Sequence, residues 1–238
     1  MGREPDVLVV GGGPAGLATA LAARRSGLEV TVLEKGEPGR DKACGEGLMP
    51  DAVAAAGRLG VDLTDLGLPF RGIRYLDSGL VAEGSFSRGS GLGIRRTRLH
   101  RALARAAETA GAEIRWGVRV EGLLEEGVET SSCPVHARWV VGADGLHSRV
   151  RRWSGLGAEA GKRRRFGVRR HLHRPPWTDR VEVYWSDGAE AYVTPVASDL
   201  VGVALLWGGK TAAFDDLLPR FPRLEERLAG ADRASRDR

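Results

Sequence analysis

The chain has little that would staple it, ligate a metal or cross a bilayer. Among its 238 residues are two cysteines, Cys44 and Cys133. They lie far apart, with no second pair and no histidine-cysteine spacing, which excludes a disulfide framework and a zinc centre. A pair of free thiols suits a reducing cytoplasm. No run of about 18 apolar residues is free of Gly and Pro, so no transmembrane helix is expected. Aromatic residues make up 6%, and none forms a platform beside the basic clusters "RVRRW" and "GKRRRFGVRRH". The net charge of +5 therefore reads as a solvated surface, and no nucleic-acid partner is expected. Internal repeats and low-complexity linkers are also missing.

What is present begins at once, in "VLVVGGGPAGLATALAA". A positive charge ahead of an apolar run suggests a secretory leader, but three consecutive glycines and Pro14 interrupt the helix such a leader must form. Glu4 and Asp6 also offset Arg3. As strand, turn and helix, every residue has a place: a buried strand at Val7–Val10, a turn at Gly11, Gly12 and Gly13, and a helix over 14–26. The turn reads Gly-x-Gly-x-x-Gly at Gly11, Gly13 and Gly16. The first glycine permits the sharp turn, the second lets backbone N–H groups approach a pyrophosphate, and the third lets the helix lie close to the strand. An anion then rests on the helix's unpaired amides. Gly27 closes the helix, "LEVTVLEK" is a second buried strand, and Glu34 ends it about 20 residues past the turn, where a ribose-binding carboxylate belongs. An acid at that place favours an unphosphorylated adenosine ribose, hence FAD or NAD over NADP.

Further along, "KGEPGRDKACGEGLMPDAVAAAGRLGV" is a loop running into a helix at about 50–59, and "GIRYLDSGLVAEGSF" turns like a hairpin. "TRLHRALARAAETAG" carries a helical stripe at Leu99, Ala102, Leu103, Ala106 and Ala110. Strands follow at "AEIRWG", "VRVEGLLEE" and "ARWVVGAD". From Arg163 the texture changes to "RFGVRRHLH", "RVEVYWS", "EAYVTPV" and "LVGVALLW", which read as antiparallel strands, with one helix at about 213–228. The expected fold class is α/β. A Rossmann-like nucleotide domain fills 1–160, with a loop and hairpin inserted at about 36–95, and a sheet-rich, partial substrate domain fills 161–238.

A second chemistry-bearing stretch is "VVGADGLHSRVRR". Its strand ends at Gly142, Asp144 stands at the tip, and Gly145 permits a tight turn, placing a carboxylate where open α/β sheets bind ligands. Ser148 can cap the next helix, and Arg151 offers a guanidinium to phosphate.

With both motifs present, the sequence resembles the flavoproteins related to aromatic-ring hydroxylases and geranylgeranyl reductases. The resemblance implies FAD as cofactor and NADH or NADPH as electron donor. It implies cofactor contacts at Gly11, Gly13, Ala15, Gly16, Glu34, Lys35 and Asp144. It adds Arg96, from the match of "RTRLHRAL" to an arginine at the start of the helix after the first hairpin. In "KACGEGL", Lys42, Cys44, Gly45 and Gly47 match the Lys-x-Cys-Gly-Gly-Gly of prenyl-reducing relatives, while Glu46 departs from it. "EAYVTP" carries Glu190, Tyr192 and Thr194 where those relatives have Tyr-x-Trp-x-Phe-Pro. Cys44 and Tyr192 are the candidate substrate-lining residues. Relatives also carry a Gly-Asp motif in a position past Arg238, so the resemblance predicts a chain with one side of the flavin site missing.

Three functions follow. The first is an FAD-dependent monooxygenase that uses NAD(P)H and O₂ to hydroxylate an aromatic or other apolar small molecule. The second is a flavin-dependent reductase of isoprenoid double bonds, and the third is an inactive nucleotide-binding remnant. Trp185, Tyr192 and Trp207 are candidates to wall an apolar pocket, and a plain sheet core explains them equally well. His171 and His173 read as surface residues, and no catalytic base is assigned. Peripheral membrane contact is expected if the substrate is a lipid.

Overall fold

The computed structural model describes residues 4–157 and 164–238. Arg3 of the N-terminal flank and residues 161–163 of the second basic cluster lie outside them. The chain divides into two compact units, one of Met1–Arg40, Ala56–Asp62 and Thr97–Ala160, the other of Asp41–Ala55, Leu63–Arg96 and Gly161–Arg238.

In chain order, the elements start with β1 (Val7–Val10), α1 (Pro14–Arg25) and β2 (Val30–Glu34). Next come β3 (Gly47–Leu48), α2 (Pro50–Arg58), β4 (Leu68–Phe70), β5 (Gly72–Asp77), β6 (Leu80–Ser85) and β7 (Gly91–Gly93). They are followed by α3 (Arg96–Thr109), β8 (Glu113–Trp116), β9 (Val120–Leu124), β10 (Gly127–Thr130), β11 (Trp139–Gly142) and α4 (Arg149–Trp153). The last are β12 (Arg165–His173), β13 (Val181–Ser186), β14 (Ala189–Ala197), β15 (Leu200–Gly208), α5 (Phe214–Leu217), α6 (Pro222–Leu228) and β16 (Asp232–Arg233).

The first unit holds a parallel sheet in the order β11-β1-β2-β8. The four residues of β1 are all buried, as a strand flanked by parallel neighbours on both sides requires. Leu8, Val10, Leu33, Val120, Val128 and Val150 form one core of this unit. In α3 the fully buried stripe is His100, Leu103, Ala104 and Ala107. That corrects the expected stripe by one position: the i, i+3, i+4, i+7 spacing holds, but it starts on a histidine.

The second unit is built on a seven-stranded sheet in the order β16-β12-β15-β14-β13-β5-β6. It is antiparallel except where β13 meets β5 in parallel. The inserted hairpin thus extends the sheet of the later strands. The helix expected at about 213–228 is instead α5, a 3₁₀ turn at Leu218–Arg220, and α6. Pro219 and Pro222 lack the N–H that a continuous helix ladder needs. Phe214, Leu217, Phe221, Leu224 and Leu228 from this segment pack against Leu172, Val201, Val203, Leu205 and Trp207. Trp207 is therefore a core residue, stacked on Phe166 with 5.7 Å between ring centroids, which decides between its two expected places in favour of the sheet core. Among the described residues no helix is long and apolar enough to cross a membrane.

Candidate functional site

In the first unit the glycines of the turn are required for different reasons. Gly11 has φ 110°, a conformation that favours glycine, and a Cβ there would strike the Ala143 carbonyl. A Cβ on Gly16 would land on the Gly11 carbonyl oxygen, backbone that cannot yield. Gly13 is different: a Cβ there meets nothing within 4 Å. It faces open space at the N-cap of α1, with an ordinary φ of −73°. The helix ladder opens with the Leu17 N–H donating to the Gly13 carbonyl at 2.9 Å, so the N–H groups of Ala15 and Gly16 belong to the unpaired first turn. Ala15 is exposed there.

Glu34 closes the back of the turn. Its Oε2 accepts the Gly12 N–H at 2.8 Å and its Oε1 accepts the Gly36 N–H at 2.8 Å. Each oxygen keeps a second lone pair for a further donor. Lys35, next in sequence, is exposed. His100 also braces the turn: Gly39 N–H donates to Nδ1 at 3.0 Å, which leaves the ring proton on Nε2, 2.8 Å from the Gly12 carbonyl. Sequence reasoning missed His100, because its only signal was a polar residue on a buried helical stripe.

Asp144 comes to the same place, since its Cα lies beside Gly11. Its carboxylate accepts the Ser148 hydroxyl at 2.5 Å and the Arg149 N–H at 2.6 Å. Ser148 in turn caps α4 by accepting the Arg151 N–H at 2.9 Å. Burial pushes the Asp144 pKa up, but the Ser148 hydroxyl and the Arg149 and Val150 N–H groups outweigh that and hold it below the ordinary carboxylate value. The Arg151 guanidinium donates to the Leu146 carbonyl at 3.1 Å.

In the second unit Cys44 and Tyr192 line one cavity of about 580 Å³. Phe70, Ile73, Val183 and Trp185 form much of its wall, and residues 44–47 close one side. Tyr192 donates its hydroxyl to Glu190, which also accepts Arg165 Nη2 at 2.6 Å. Burial, then the hydrogen bond to Glu190, pushes the Tyr192 phenol up to about 12. Arg96 opens α3, and its Nε is buried with no hydrogen-bond partner among the described residues. His171 is only 1% exposed, so its expected surface position is corrected. It pairs with Glu46, the residue that departs from the relatives' pattern. His173 is exposed.

The chain belongs to the FAD binding domain family, whose model matches residues 4–198. It is an FAD-binding domain of mixed α/β fold. Among curated relatives, a menaquinone reductase from Mycolicibacterium smegmatis is 37% identical over 50% of this chain and 31% of its own length. A protein of Rhodococcus erythropolis assigned as a 2-heptyl-3-hydroxy-4(1H)-quinolone synthase is 30% identical over 91% of this chain and 62% of its own. The chain thus spans less than two thirds of both. The structure of a geranylgeranyl bacteriochlorophyll reductase-like protein from Thermoplasma acidophilum aligns with a TM-score of 0.81 at 23% identity, over 98% of this chain and 65% of that one.

Proposed function

We propose that the chain binds FAD and serves an NAD(P)H-using monooxygenase that hydroxylates an aromatic or other apolar small molecule. The single observation that carries the cofactor assignment is the Gly12 N–H on the Glu34 carboxylate at 2.8 Å. It fixes the acid beside the turn whose open glycine, Gly13, leaves backbone exposed to an anion. Gly11, Gly13, Ala15 and Gly16 would hold the pyrophosphate, Glu34 the adenosine ribose, and Lys35 and Asp144 would contribute further contacts. Arg96, whose buried Nε has no hydrogen-bond partner among the described residues, is proposed as another. Bound FAD supplies the redox chemistry; the protein supplies binding, orientation and exclusion of water.

Substrate class is read from the cavity, whose Phe70, Ile73, Tyr75, Val183 and Trp185 suit a flat, apolar molecule. The quinolone-related protein supports hydroxylation, because its similarity covers 91% of the chain and so reaches the strands of the cavity wall. Reduction of isoprenoid double bonds is the second reading, supported by Cys44 in the cavity lining and by similarity to a digeranylgeranylglycerophospholipid reductase of Methanosarcina acetivorans. Both thiols are free, in keeping with a reducing cytoplasm. A lipid substrate would add peripheral membrane contact.

The test is the purified chain with FAD added. A yellow protein that quenches flavin fluorescence supports the cofactor reading; a colourless chain that leaves FAD free in solution overturns it in favour of an inactive remnant. Oxygen uptake that requires an aromatic substrate then supports hydroxylation. Substrate reduction that proceeds without oxygen supports the reductase.

A further inference from the structure

Residues 41–47 are fastened near both ends by two side chains of one strand. Arg169 and His171 are two apart on β12 and share a face. Arg169 donates Nη2 to the Asp41 carboxylate, and Arg238 Nε stands 3.6 Å from the same group. His171 Nε2 lies 2.5 Å from Glu46 Oε2. Arg169 Nη1 is 2.8 Å from His171 Nδ1. A guanidinium can only donate, so Nδ1 accepts, and the ring proton sits on Nε2 facing Glu46. The Ser235 hydroxyl is also 2.9 Å from Nδ1.

Glu46 is tied down on three sides. Its Oε1 accepts the Arg96 backbone N–H at 2.9 Å, its carbonyl accepts the Ile94 N–H at 2.8 Å, and its side chain is 1% exposed. Gly202, opposite His171 on β15, makes room for it: a Cβ there would sit 3.0 Å from Glu46 Oε2. The backbone of Glu46 has φ 58°, a conformation that favours glycine and persists in another residue only where the surroundings impose it. Between the two anchors lie Cys44 and Gly45, both in the cavity wall, and the Gly45 carbonyl accepts the Thr194 hydroxyl at 2.7 Å.

We propose that Glu46 is a positioning residue: through His171 it holds the cavity wall at 44–47 in one conformation and thereby sets which apolar ligands the cavity admits. The clasp stands on the geometry alone. Its effect on ligands rests on the cavity being the substrate pocket.

The experiment uses the chain with Cys133→Ser, so that Cys44 is its one thiol. Alkylation of Cys44 by iodoacetamide reports the loop, calorimetric titration with 1-naphthol reports the cavity, and FAD binding is followed alongside. Glu46→Gly is expected to speed alkylation and to weaken 1-naphthol, each by about tenfold. Glu46→Gln, which keeps the shape and one acceptor, is expected to restore most of both. A Glu46→Gly chain that unfolds cooperatively yet matches the parent in both readouts overturns the proposal, and so does a Gln variant no better than the Gly variant. Where Glu46→Gly does not fold, hydrogen exchange on the unaltered chain decides. The clasp requires the Ile94 and Arg96 amides, which donate to Glu46, to exchange as slowly as those of β12 and β15, and exchange as fast as in the exposed β6 overturns it. An unaltered chain that binds FAD but no 1-naphthol overturns the pocket reading and the ligand half of this proposal, while Cys44 reactivity still decides the clasp.

Discussion

The Glu34 carboxylate and the Gly12 amide, 22 positions apart in the chain, meet at 2.8 Å. This contact makes the glycine turn and the end of the second strand one object. A Cβ on Gly12 would sit 2.9 Å from Glu34 Cβ, so the approach depends on glycine there as well. Glu34→Ala removes the acceptor from two N–H groups, Gly12 and Gly36. It is expected to destabilise the fold by about 1–3 kcal/mol and to weaken FAD binding. Urea unfolding beside flavin-fluorescence titration checks both; unchanged FAD affinity would remove Glu34 from the cofactor site.

Gly13 and Gly16 separate folding from binding. Gly16 is pressed on the Gly11 carbonyl, so Gly16→Val is expected to prevent a cooperative fold. Gly13 faces open space with an ordinary φ, so Gly13→Val should shift stability by no more than about 0.5 kcal/mol. Its side chain would nonetheless occupy the approach of an anion to the helix amides, and FAD affinity should fall at least about tenfold. A Gly13→Val chain that takes up FAD as well as its parent would disprove the proposed pyrophosphate cradle.

Asp144 carries an acid-side prediction. Its pKa in the fold is depressed, with burial opposed and outweighed by the Ser148 hydroxyl and the Arg149 and Val150 N–H groups. The stability it contributes is therefore complete above the unfolded carboxylate value of about 3.9 and is lost as pH falls through the lower folded value. Asp144→Asn should be less stable than its parent at neutral pH, and the gap should narrow below about pH 4. Denaturant midpoints across that range test this; a gap that stays constant would refute it.

Glu182 is fully buried and accepts from Arg74 Nη1 at 3.1 Å, Trp177 Nε1 at 2.8 Å and the Tyr184 hydroxyl at 2.6 Å. Glu182→Ala strands the Trp177 and Tyr184 donors, leaves Arg74 only Glu83, and should cost about 3–5 kcal/mol. Tyr184→Phe leaves Glu182 two partners and should cost about 1 kcal/mol. Thermal unfolding of the two variants ranks them, and equal losses would show that Glu182 is not the hub.

The sequence was readable where one local pattern decides the structure. The β1 run of four apolar residues, the φ-demanding Gly11 and the Glu34 spacing gave strand, turn and acid, because each depends on near neighbours along the chain. Cys44 and Tyr192, each named separately as a candidate, line one cavity, which neither local pattern indicates. Glu46 and His171 were not legible. A glutamate in a glycine-rich loop looks solvated, and a histidine on a strand looks like surface, until a register set by β12 and β15 brings positions 125 apart together. The single helix expected near the C-terminal end failed for a local reason that was visible, Pro219 and Pro222. Trp207 stayed open between pocket wall and core because alternation along β15 says that faces differ, not which face packs against α5 and α6.

Tyr192 bears on how the pH profile of the proposed activity should be read. Its hydroxyl donates to Glu190, and burial followed by that hydrogen bond raises its pKa to about 12. It is therefore a neutral phenol at every pH where the chain would work, and the proton it carries is committed to Glu190. An alkaline fall in activity at about pH 8–10 must come from another group. Glu190→Gln removes the charge and leaves the burial, so the Tyr192 pKa should drop yet stay above the ordinary value of about 10. Phenolate absorbance followed through an alkaline titration, in a Tyr75→Phe background to simplify the spectrum, measures the change. A phenol that ionises near its ordinary value in the parent, or one that Glu190→Gln leaves unmoved, would show that the pair is not formed and that Tyr192 presents a free donor to the cavity.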